Sequence, residues 1–393
     1  MIHPVPHLPQ PLRANETGTF TEDSVVRRLP EIASSALTDN QFGDDGATRI
    51  DDLIREIHGG VIVEIDEPLA DDAADWKDYV APYLGMTWLD VPWFFAETYF
   101  YRRLLAATGY SHPGPHRGVD PFLHKKYTDL EAGAPLAGRL AQLLDDLPML
   151  LAASLWANRV DRSLWPASDQ AAAARTAEVL GLDRSQRLLA DDTQQVAELL
   201  AQGIQSVHVV PDNAGAELVA DLMLAAHVLN HGSRVTIHVK PHPTFVSDVT
   251  LRDLDATIAR LAVEPDPAPF VAATLRGARS DGRLAATTHN FWVSPLPFWE
   301  CPSELLDDLA DADLVIVKGD ANYRRLLGDL HWDPTTPFSD IVRPLQPVAA
   351  LRTAKSLVAA GLSAATVERA STTDPDWLTS GDWGMIQFAP EID

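Results

Sequence analysis

The 393-residue chain contains a single cysteine, Cys301. One cysteine can form neither an internal disulfide nor a cysteine-based zinc site. The sequence also lacks any run of about 18 apolar residues, so no membrane span is expected. Its first residues, MIHPVPHLPQPLRANETG, contain no apolar segment of the kind that a signal peptide needs. A cytoplasmic location is therefore expected.

Basic residues are also scarce. The chain has 31 lysines and arginines against 56 aspartates and glutamates, which gives a formal net charge of −25. Such a chain repels nucleic acid and anionic lipid, so neither is expected as a partner. An anionic ligand would need positive charge concentrated at its site, from a metal ion, basic side chains or helix N-termini. The acidic surface favours a monomer or a small homo-oligomer.

Three glycine-rich catalytic motifs are absent. No GxGxxG follows a predicted strand, and neither GxxxxGK[ST] nor GxSxG occurs. The sequence therefore gives no indication of a dinucleotide-binding protein, a P-loop nucleotidase or a serine hydrolase with a nucleophile elbow.

The pattern of apolar residues divides the chain near residue 190. Residues 1–190 are mostly helical, with apolar side chains three and four positions apart, whereas residues 191–393 alternate short β-branched runs with helical stretches. Alternation of this kind predicts an α/β domain with a mainly parallel sheet. The expected strands are VHVV (207–210), RVTIHV (234–239), LAATTHNFWV (284–293), LVIV (314–317), VAAL (348–351) and MIQF (385–388).

Polar residues follow several of these strands, at the edge of the sheet where open α/β proteins bind ligands. Asp212 and Asn213 follow the first predicted strand, Asp248 comes after the second, and Asp320 follows LVIV. Their oxygen atoms are hard donors that suit Mg²⁺ or Mn²⁺, and also Co²⁺ or Ni²⁺. The sequence therefore predicts a divalent-metal site at this edge.

Basic residues occur at the same strand ends. Lys318, Arg324, Arg352 and Lys355 could bind phosphate oxygens there. A metal ion together with basic side chains stabilises the charge on a transferring phosphoryl group.

Each feature also has a simpler structural interpretation. Asp212 and Asn213 could cap the following helix, and Asp248 and Asp320 could be turn residues. Arg352 and Lys355 could begin a solvated helix. His238 and His242 suggest zinc, but no third ligand has suitable spacing.

Several segments resemble the damage-control phosphatases of subfamily III, which belong to the domain of unknown function 89 family. The similar segments are PDNAGAELVADLMLA (211–225), FVSD (245–248), KGDANYRRLLGD (318–329), RTAK (352–355) and PWFFAETYFYRRLL (92–105). The resemblance implies a helical N-terminal region and a Rossmann-like, three-layer α/β metal-binding domain. It also implies hydrolysis of phosphomonoesters such as fructose phosphates with Mn²⁺, Co²⁺, Ni²⁺ or Mg²⁺.

The resemblance assigns roles to individual positions. The metal ligands would be Asp212, Asn213 and Asp248, and Asp320 would be the base or the nucleophile. Substrate contacts implied by the resemblance are Asp320, Asn322, Tyr323, Arg324 and Lys355. Beyond the resemblance, Lys318, Glu217, Asn158 and Arg159 are also expected on the substrate side. Two departures bear on the substrate, because KPHPT (240–244) replaces a stretch with an aromatic residue and Ala321 replaces a larger apolar one.

The resulting hypothesis is a metal-dependent phosphatase acting on small phosphorylated metabolites. One alternative is an S-adenosylmethionine-dependent carboxyl methyltransferase, to which Glu217 would be linked. That activity lacks a glycine-rich loop after the first strand. A second alternative is a non-catalytic protein that binds phosphorylated metabolites.

Overall fold

A mixed α/β fold with one central sheet is seen in the computed structural model, which describes residues 7–160, 185–342, 345 and 347–391. The side chains of residues 158–160 and 185 lie outside that description.

The described residues contain seven β-strands in one sheet. They are β1 (Leu188–Asp191), β2 (Ser206–Val210), β3 (Arg234–Val239), β4 (Leu284–Thr288), β5 (Leu314–Lys318), β6 (Val348–Thr353) and β7 (Gly384–Ala389). Their order is β1-β7-β6-β5-β2-β3-β4. Strands β6, β5, β2, β3 and β4 are parallel, whereas β7 pairs antiparallel with β6 and parallel with β1. The parallel strands place their carboxyl ends at one edge of the sheet.

Helices cover both faces of this sheet. Before it the chain forms α1 (Phe20–Asp23), α2 (Leu29–Asp39), α3 (Gly43–Gly59), α4 (Ala73–Val80), α5 (Trp93–Thr108), α6 (Leu123–Gly133), α7 (Ala137–Leu140) and α8 (Leu147–Val160). From β1 onward it adds α9 (Thr193–Ala201), α10 (Ala216–Asn230), α11 (Leu251–Leu261), α12 (Ala268–Ser280), α13 (Ser303–Ala310), α14 (Asp320–Leu327), α15 (Phe338–Ile341) and α16 (Ala364–Thr373). None of these helices is both long and apolar enough to cross a membrane.

Alternating strand residues separate two apolar cores. On β5, Leu314 and Ile316 join α6–α12 in one core, whereas Val315 and Val317 join α1–α5 and α13–α16 in the other. This period of two is what a sheet buried on both faces requires. The molecule is therefore a three-layer α/β structure.

The predicted fold class is confirmed, because the structure has a helical N-terminal region and a mostly parallel sheet with helices on both faces. Each of the six predicted strands is present, although LAATTHNFWV continues beyond Thr288 as a short 3₁₀ turn. Strand β1 was not predicted, and it spans residue 190, so the sheet begins just before the expected domain boundary. The division into 1–190 and 191–393 itself remains a prediction.

The possible helix start at Arg352 and Lys355 is wrong. Strand β6 continues to Thr353, and no helix follows until α16. The Arg352 guanidinium donates to the carbonyl oxygens of Ser356 and Val358, so the chain bends around this side chain instead of forming helical hydrogen bonds.

Candidate active site

A cavity of about 670 Å³ lies at the carboxyl edge of the parallel strands. Its lining comes from both halves of the chain. The helical half contributes Ser24, Arg28, Trp93, Glu97, Lys125 and Asp129, and the α/β half contributes Asp212, Asn213, Glu217, Asp248, Asp320, Ala321, Arg324 and Lys355. This volume lies within the usual range for small-molecule sites.

Backbone pairing beyond β2 brings three predicted metal ligands together. Asn213 and Asp248 form an isolated antiparallel bridge. The Ala214 N–H donates to the Ser247 carbonyl at 2.7 Å, and the Val249 N–H donates to the Asp212 carbonyl at 2.9 Å. The loop after β2 is therefore fixed against the FVSD segment, as a precise ligand set requires.

Side-chain hydrogen bonds orient the amide of Asn213. Its Nδ2 donates to Asp212 Oδ2 at 2.6 Å and to Glu217 Oε2 at 3.0 Å. Its Oδ1 accepts from Ser247 Oγ at 2.5 Å. The amide thus holds two carboxylates side by side, which would repel each other if both were ionised.

Asp248 is 1% exposed, and its Oδ2 forms no hydrogen bond. Lys240 Nζ lies 3.4 Å from that oxygen, an ion-pair contact outside hydrogen-bond geometry. Burial raises the pKa of Asp248 to about 6, against the opposing charge of Lys240. Burial and the nearby Glu217 and Asp248 also raise the pKa of Asp212 well above its ordinary value.

A divalent cation fits this donor set. Asp212 and Asp248 are buried carboxylates held close to one another, and one oxygen of Asp248 lacks a hydrogen-bond donor. Buried anionic oxygens are stable when they are paired or coordinate a metal. The carboxylate and amide oxygens are the hard donors that Mg²⁺ and Mn²⁺ prefer.

Gly319 allows Asp212 to occupy this position. Its φ is +82°, and a Cβ atom built on it would lie 2.0 Å from Asp212 Oδ2. Any larger residue would therefore displace the Asp212 carboxylate.

Unusual backbone angles precede Asp248. Phe245 and Val246 have φ values of 45° and 68°, a region that side chains other than glycine rarely adopt. The Phe245 ring packs against Tyr101 and Phe94, with centroid distances of 5.0 and 6.0 Å. Residues in such conformations persist where the surrounding structure fixes them, and they are concentrated at active sites. Here α5 supplies that support.

Asp320 begins α14 beside the three predicted metal ligands. Its Oδ1 accepts from Arg352 Nε at 2.7 Å, from the Lys355 backbone N–H at 3.1 Å and from Ser356 Oγ at 3.1 Å. Burial alone would raise the pKa of Asp320, but Arg352 and Arg324 outweigh it and hold the pKa below its usual value. Oδ2 forms no hydrogen bond with any described residue, and Asp320 lines the cavity. The carboxylate is thus ionised, with one oxygen fixed.

Two of the predicted cations line the cavity. Lys355 is half-buried, and its ammonium group pairs with no carboxylate in the described part of the chain. Arg324 lines the cavity but is fixed by other contacts: it donates to Asp329 at 2.8 Å and to Glu97, and its guanidinium lies over the Trp93 ring at 3.6 Å. Lys355 therefore provides the more available positive charge.

Other predicted contacts point away from the cavity. Lys318 is 1% exposed and donates to Asp221, Glu217 and the Ser154 carbonyl. Its position on β5 explains this, because Leu314, Ile316 and Lys318 alternate onto the face that α10 covers. Lys318 was expected to contact the substrate. The structure instead places its ammonium group between the buried carboxylates of Glu217 and Asp221, for which it is the counter-ion.

Asn322 and Tyr323 contact residues next to the cavity and do not line it. Asn322 donates to the Pro211 and Lys318 carbonyls and accepts from Lys240 at 2.9 Å. Tyr323 donates to Gln387 at 2.8 Å, and its ring lies under the Arg352 guanidinium. Neither lines the cavity as a direct contact would require. Arg352 is also fully buried.

Of the remaining predicted positions, Glu217 lines the cavity while accepting from both Asn213 and Lys318. Asn158 lies within α8, but its side chain and that of Arg159 are outside the described residues. Ala321 also lines the cavity, so this position is placed where the size of its side chain would bear on the substrate. His242 does not join His238, since its Nε2 lies 3.3 Å from Asp72.

The wall opposite the sheet was missed by sequence reasoning. Residues 24–28 form a π-helical turn between α1 and α2, an irregularity that is frequent at functional sites. Ser24 donates to Glu97 Oε1 at 3.2 Å, and the other Glu97 oxygen accepts from Arg324. The one sequence signal was Glu97 itself, an acid inside the otherwise apolar run WFFAETYF.

The fold and site define a class of protein: a three-layer α/β structure with oxygen donors for a divalent ion, an ionised aspartate and a lysine at one sheet edge. Residues 24–370 match the family model described as the damage-control phosphatase ARMT1-like domain. The chain belongs to this family.

Relatives and a solved structure agree with this assignment. The chain is 30% identical to the protein named damage-control phosphatase ARMT1 of Danio rerio, with 97% of each chain covered. It is 28% identical to the Mus musculus protein of that name, over 96% of this chain and 98% of the other. A crystal structure of a DUF89 family protein from Pyrococcus horikoshii is similar in fold, with a TM-score of 0.51, 15% identity, and coverage of 87% and 95%.

Proposed function

We propose that the protein is a phosphatase that hydrolyses phosphomonoesters of small metabolites with a divalent metal ion. The observation that carries this proposal is the buried Asp248 carboxylate, held beside Asp212 and Asn213 at the cavity, with one oxygen that accepts no hydrogen bond and lies 3.4 Å from Lys240. The names of the relatives in this family support the same reaction class.

Asp212, Asn213 and Asp248 would hold the ion. Their oxygen donors suit Mn²⁺, Co²⁺, Ni²⁺ or Mg²⁺. When bound, it supplies neutralisation of the charge on the phosphoryl group. Lys355 would bind a phosphate oxygen, because its ammonium is the available cation beside Asp320. Arg324 would hold Glu97 and the N-terminal wall in position.

Asp320 would act as the nucleophile, because its lowered pKa keeps it ionised and makes it a weak base. Its free oxygen would form a bond to phosphorus while the bond to the ester oxygen breaks. The alcohol leaves with a proton from water. Water then cleaves the acyl phosphate, which releases inorganic phosphate and restores the carboxylate.

The cavity also limits the substrate. With about 670 Å³ available it holds a sugar phosphate, and Trp93, Ser24 and Glu97 provide an aromatic face and polar groups for the organic part. We propose ketose phosphates, such as fructose 1-phosphate or fructose 6-phosphate, as the substrates to test first.

The test is a phosphate-release screen of metal ions against sugar phosphates and p-nitrophenyl phosphate. Chelated protein should be inactive, Mn²⁺, Co²⁺, Ni²⁺ or Mg²⁺ should restore activity, and Asp248→Asn should remove it. Asp51→Asn, which makes the same change at an exposed position on α3, serves as the control. Activity that persists after chelation, or in the Asp248→Asn variant, would refute the metal assignment. Methyl transfer from S-adenosylmethionine, measured in parallel, would favour the methyltransferase alternative.

A further inference from the structure

A second group of metal-ligating side chains lies away from the cavity. His208 on β2 and His238 on β3 point to the sheet face that carries α13, and Asp308 lies on α13 itself. One ligand atom from each residue lies within 4.8 Å of the other two. His238 Nε2 is 3.0 Å from His208 Nδ1 and 3.9 Å from Asp308 Oδ2. None of these residues lines the cavity described above.

Both imidazoles are in the form that binds metals. His208 is 5% exposed and His238 is fully buried. Burial lowers the pKa of both rings, that of His238 to about 3, so both are neutral at physiological pH. A neutral imidazole offers a nitrogen lone pair to a metal ion without first losing a proton.

The geometry is close to that of a tetrahedral ion. Two nitrogen ligands at the usual zinc distance lie about 3.3 Å apart in a tetrahedral site, near the observed 3.0 Å. The side chain of Asp308 is 53% exposed, so it can turn toward the ion and leave a path from solvent. The three ligands also come from three different elements, which allows them to converge on one point.

The surroundings predict a site of modest affinity. Histidine ligands usually donate their second nitrogen to a carboxylate or a carbonyl. Nδ1 of His238 has no hydrogen-bond partner, and Trp292 packs edge-on against the ring at 5.6 Å. The ring is therefore oriented by packing and by the contact of its Nε2 with His208, and no second-nitrogen hydrogen bond adds to them.

We propose that His208, His238 and Asp308 form a second metal site, for Zn²⁺ or a similar transition-metal ion, that ties α13 to the middle of the sheet. Imidazole nitrogens select such ions, whereas the oxygen donors of Asp212, Asn213 and Asp248 suit Mg²⁺ and Mn²⁺. The chain would thus hold two metal sites of different chemical class.

The test uses Co²⁺ as a spectroscopic probe in the full-length Asp248→Asn protein, in which the sheet-edge site is weakened. Metal-free protein should gain the visible absorption of tetrahedral Co²⁺ with one equivalent, and Zn²⁺ should remove that absorption. Adding Asp308→Asn should weaken Co²⁺ binding more than about tenfold. Adding Asp307→Asn, at the neighbouring exposed position on α13, should leave it unchanged.

Thermal unfolding shows whether each variant is folded and whether Zn²⁺ stabilises it. Zn²⁺ should raise the unfolding midpoint of the Asp307→Asn protein but not that of the Asp308→Asn protein, because an ion stabilises only the state that binds it. Absence of Co²⁺ absorption in the Asp248→Asn protein, or equal affinity in the two α13 variants, would overturn the proposal. Failure of the proposed phosphatase activity would leave these results unchanged, since neither readout measures phosphate release.

Discussion

At the scale of single residues, the site depends on close contacts that a different side chain would disrupt. The Asp212 carboxylate packs against Gly319, and three donors bind one oxygen of Asp320. Both features concern atoms at the carboxyl ends of β2 and β5. A substitution at Gly319 or Asp320 should therefore alter activity more than it alters the fold.

Gly319→Ala tests the contact with Asp212. The new Cβ would overlap the carboxylate, so we expect the metal concentration for half-maximal activity to rise more than about tenfold, as for lost ligand orientation. Gly282→Ala is the matched control: its φ is +81°, and a Cβ there meets no atom within 4 Å. Both glycines have a φ near +80°, so alanine carries backbone strain at either position. Equal metal requirements in the two variants would show that the overlap with Asp212 is unimportant.

Asp320→Asn tests the nucleophile. We expect phosphate release to fall at least about 10³-fold, as when a nucleophile is removed from other enzymes. Acid-quenched wild-type protein given a substrate with labelled phosphate should retain the label as an acyl phosphate, and the variant should retain none. If the wild-type protein carries no label under single-turnover conditions, Asp320 activates water instead.

At the scale of the elements, the side on which a strand residue lies decides its role. Lys318 ends β5 on the face covered by α10 and there neutralises Glu217 and Asp221. A lysine at the carboxyl end of a strand can bind phosphate only if its side chain faces the cavity, and that of Lys318 does not.

Lys318→Met should therefore reduce stability, because it leaves two buried carboxylates without their counter-ion. We expect a loss of about 3–5 kcal/mol in the free energy of unfolding, measured in urea. Lys77→Met, at an exposed position on α4, should change it by less than about 0.5 kcal/mol. A stable Lys318→Met protein with a raised KM would instead indicate a role in substrate binding.

Strands with continuous β-branched runs were predictable from the sequence. A short edge strand and the exact end of a strand were not. The β-branched runs of β2, β3 and β5 indicated strands because few other structures bury such residues continuously. Strand β1, LLAD, is four residues long and lies at the edge, so it has no such pattern. Residues after Thr353 have helical spacing, but Arg352 binds their carbonyl oxygens and prevents a helix.

The candidate site shows the same limit. Asp212, Asn213 and Asp248 were expected to meet because they follow parallel strands, and the structure brings them together. The order of residues could not show which cations face the cavity. That depends on the sheet face to which Lys318 and Arg352 point within β5 and β6, and on the path of the chain after Thr353, where Lys355 lies. Glu97 and Arg28 lie more than 100 positions before the sheet-edge residues, so only tertiary packing reveals that they share a cavity.

At the scale of the whole molecule, the net charge of −25 surrounds a cavity proposed to accept an anion. This field should slow the approach of a phosphorylated substrate. Raising the ionic strength from about 10 to about 150 mM shortens the screening length from about 30 to about 8 Å. With the metal ion saturating, we expect kcat/KM for a sugar phosphate to rise over this range. A decrease would mean that Lys355 and Arg28 dominate the local field.

The position of β7 has a consequence for synthesis of the chain. This strand, formed late in the sequence, lies between β1 and β6 rather than at an edge of the sheet. While a ribosome is still translating residues before Gly384, β1 has no neighbour and β6 presents an open edge. Open strand edges pair readily with other chains. Nascent chains should therefore need protection, for example by a chaperone, until this last strand is available to close the sheet.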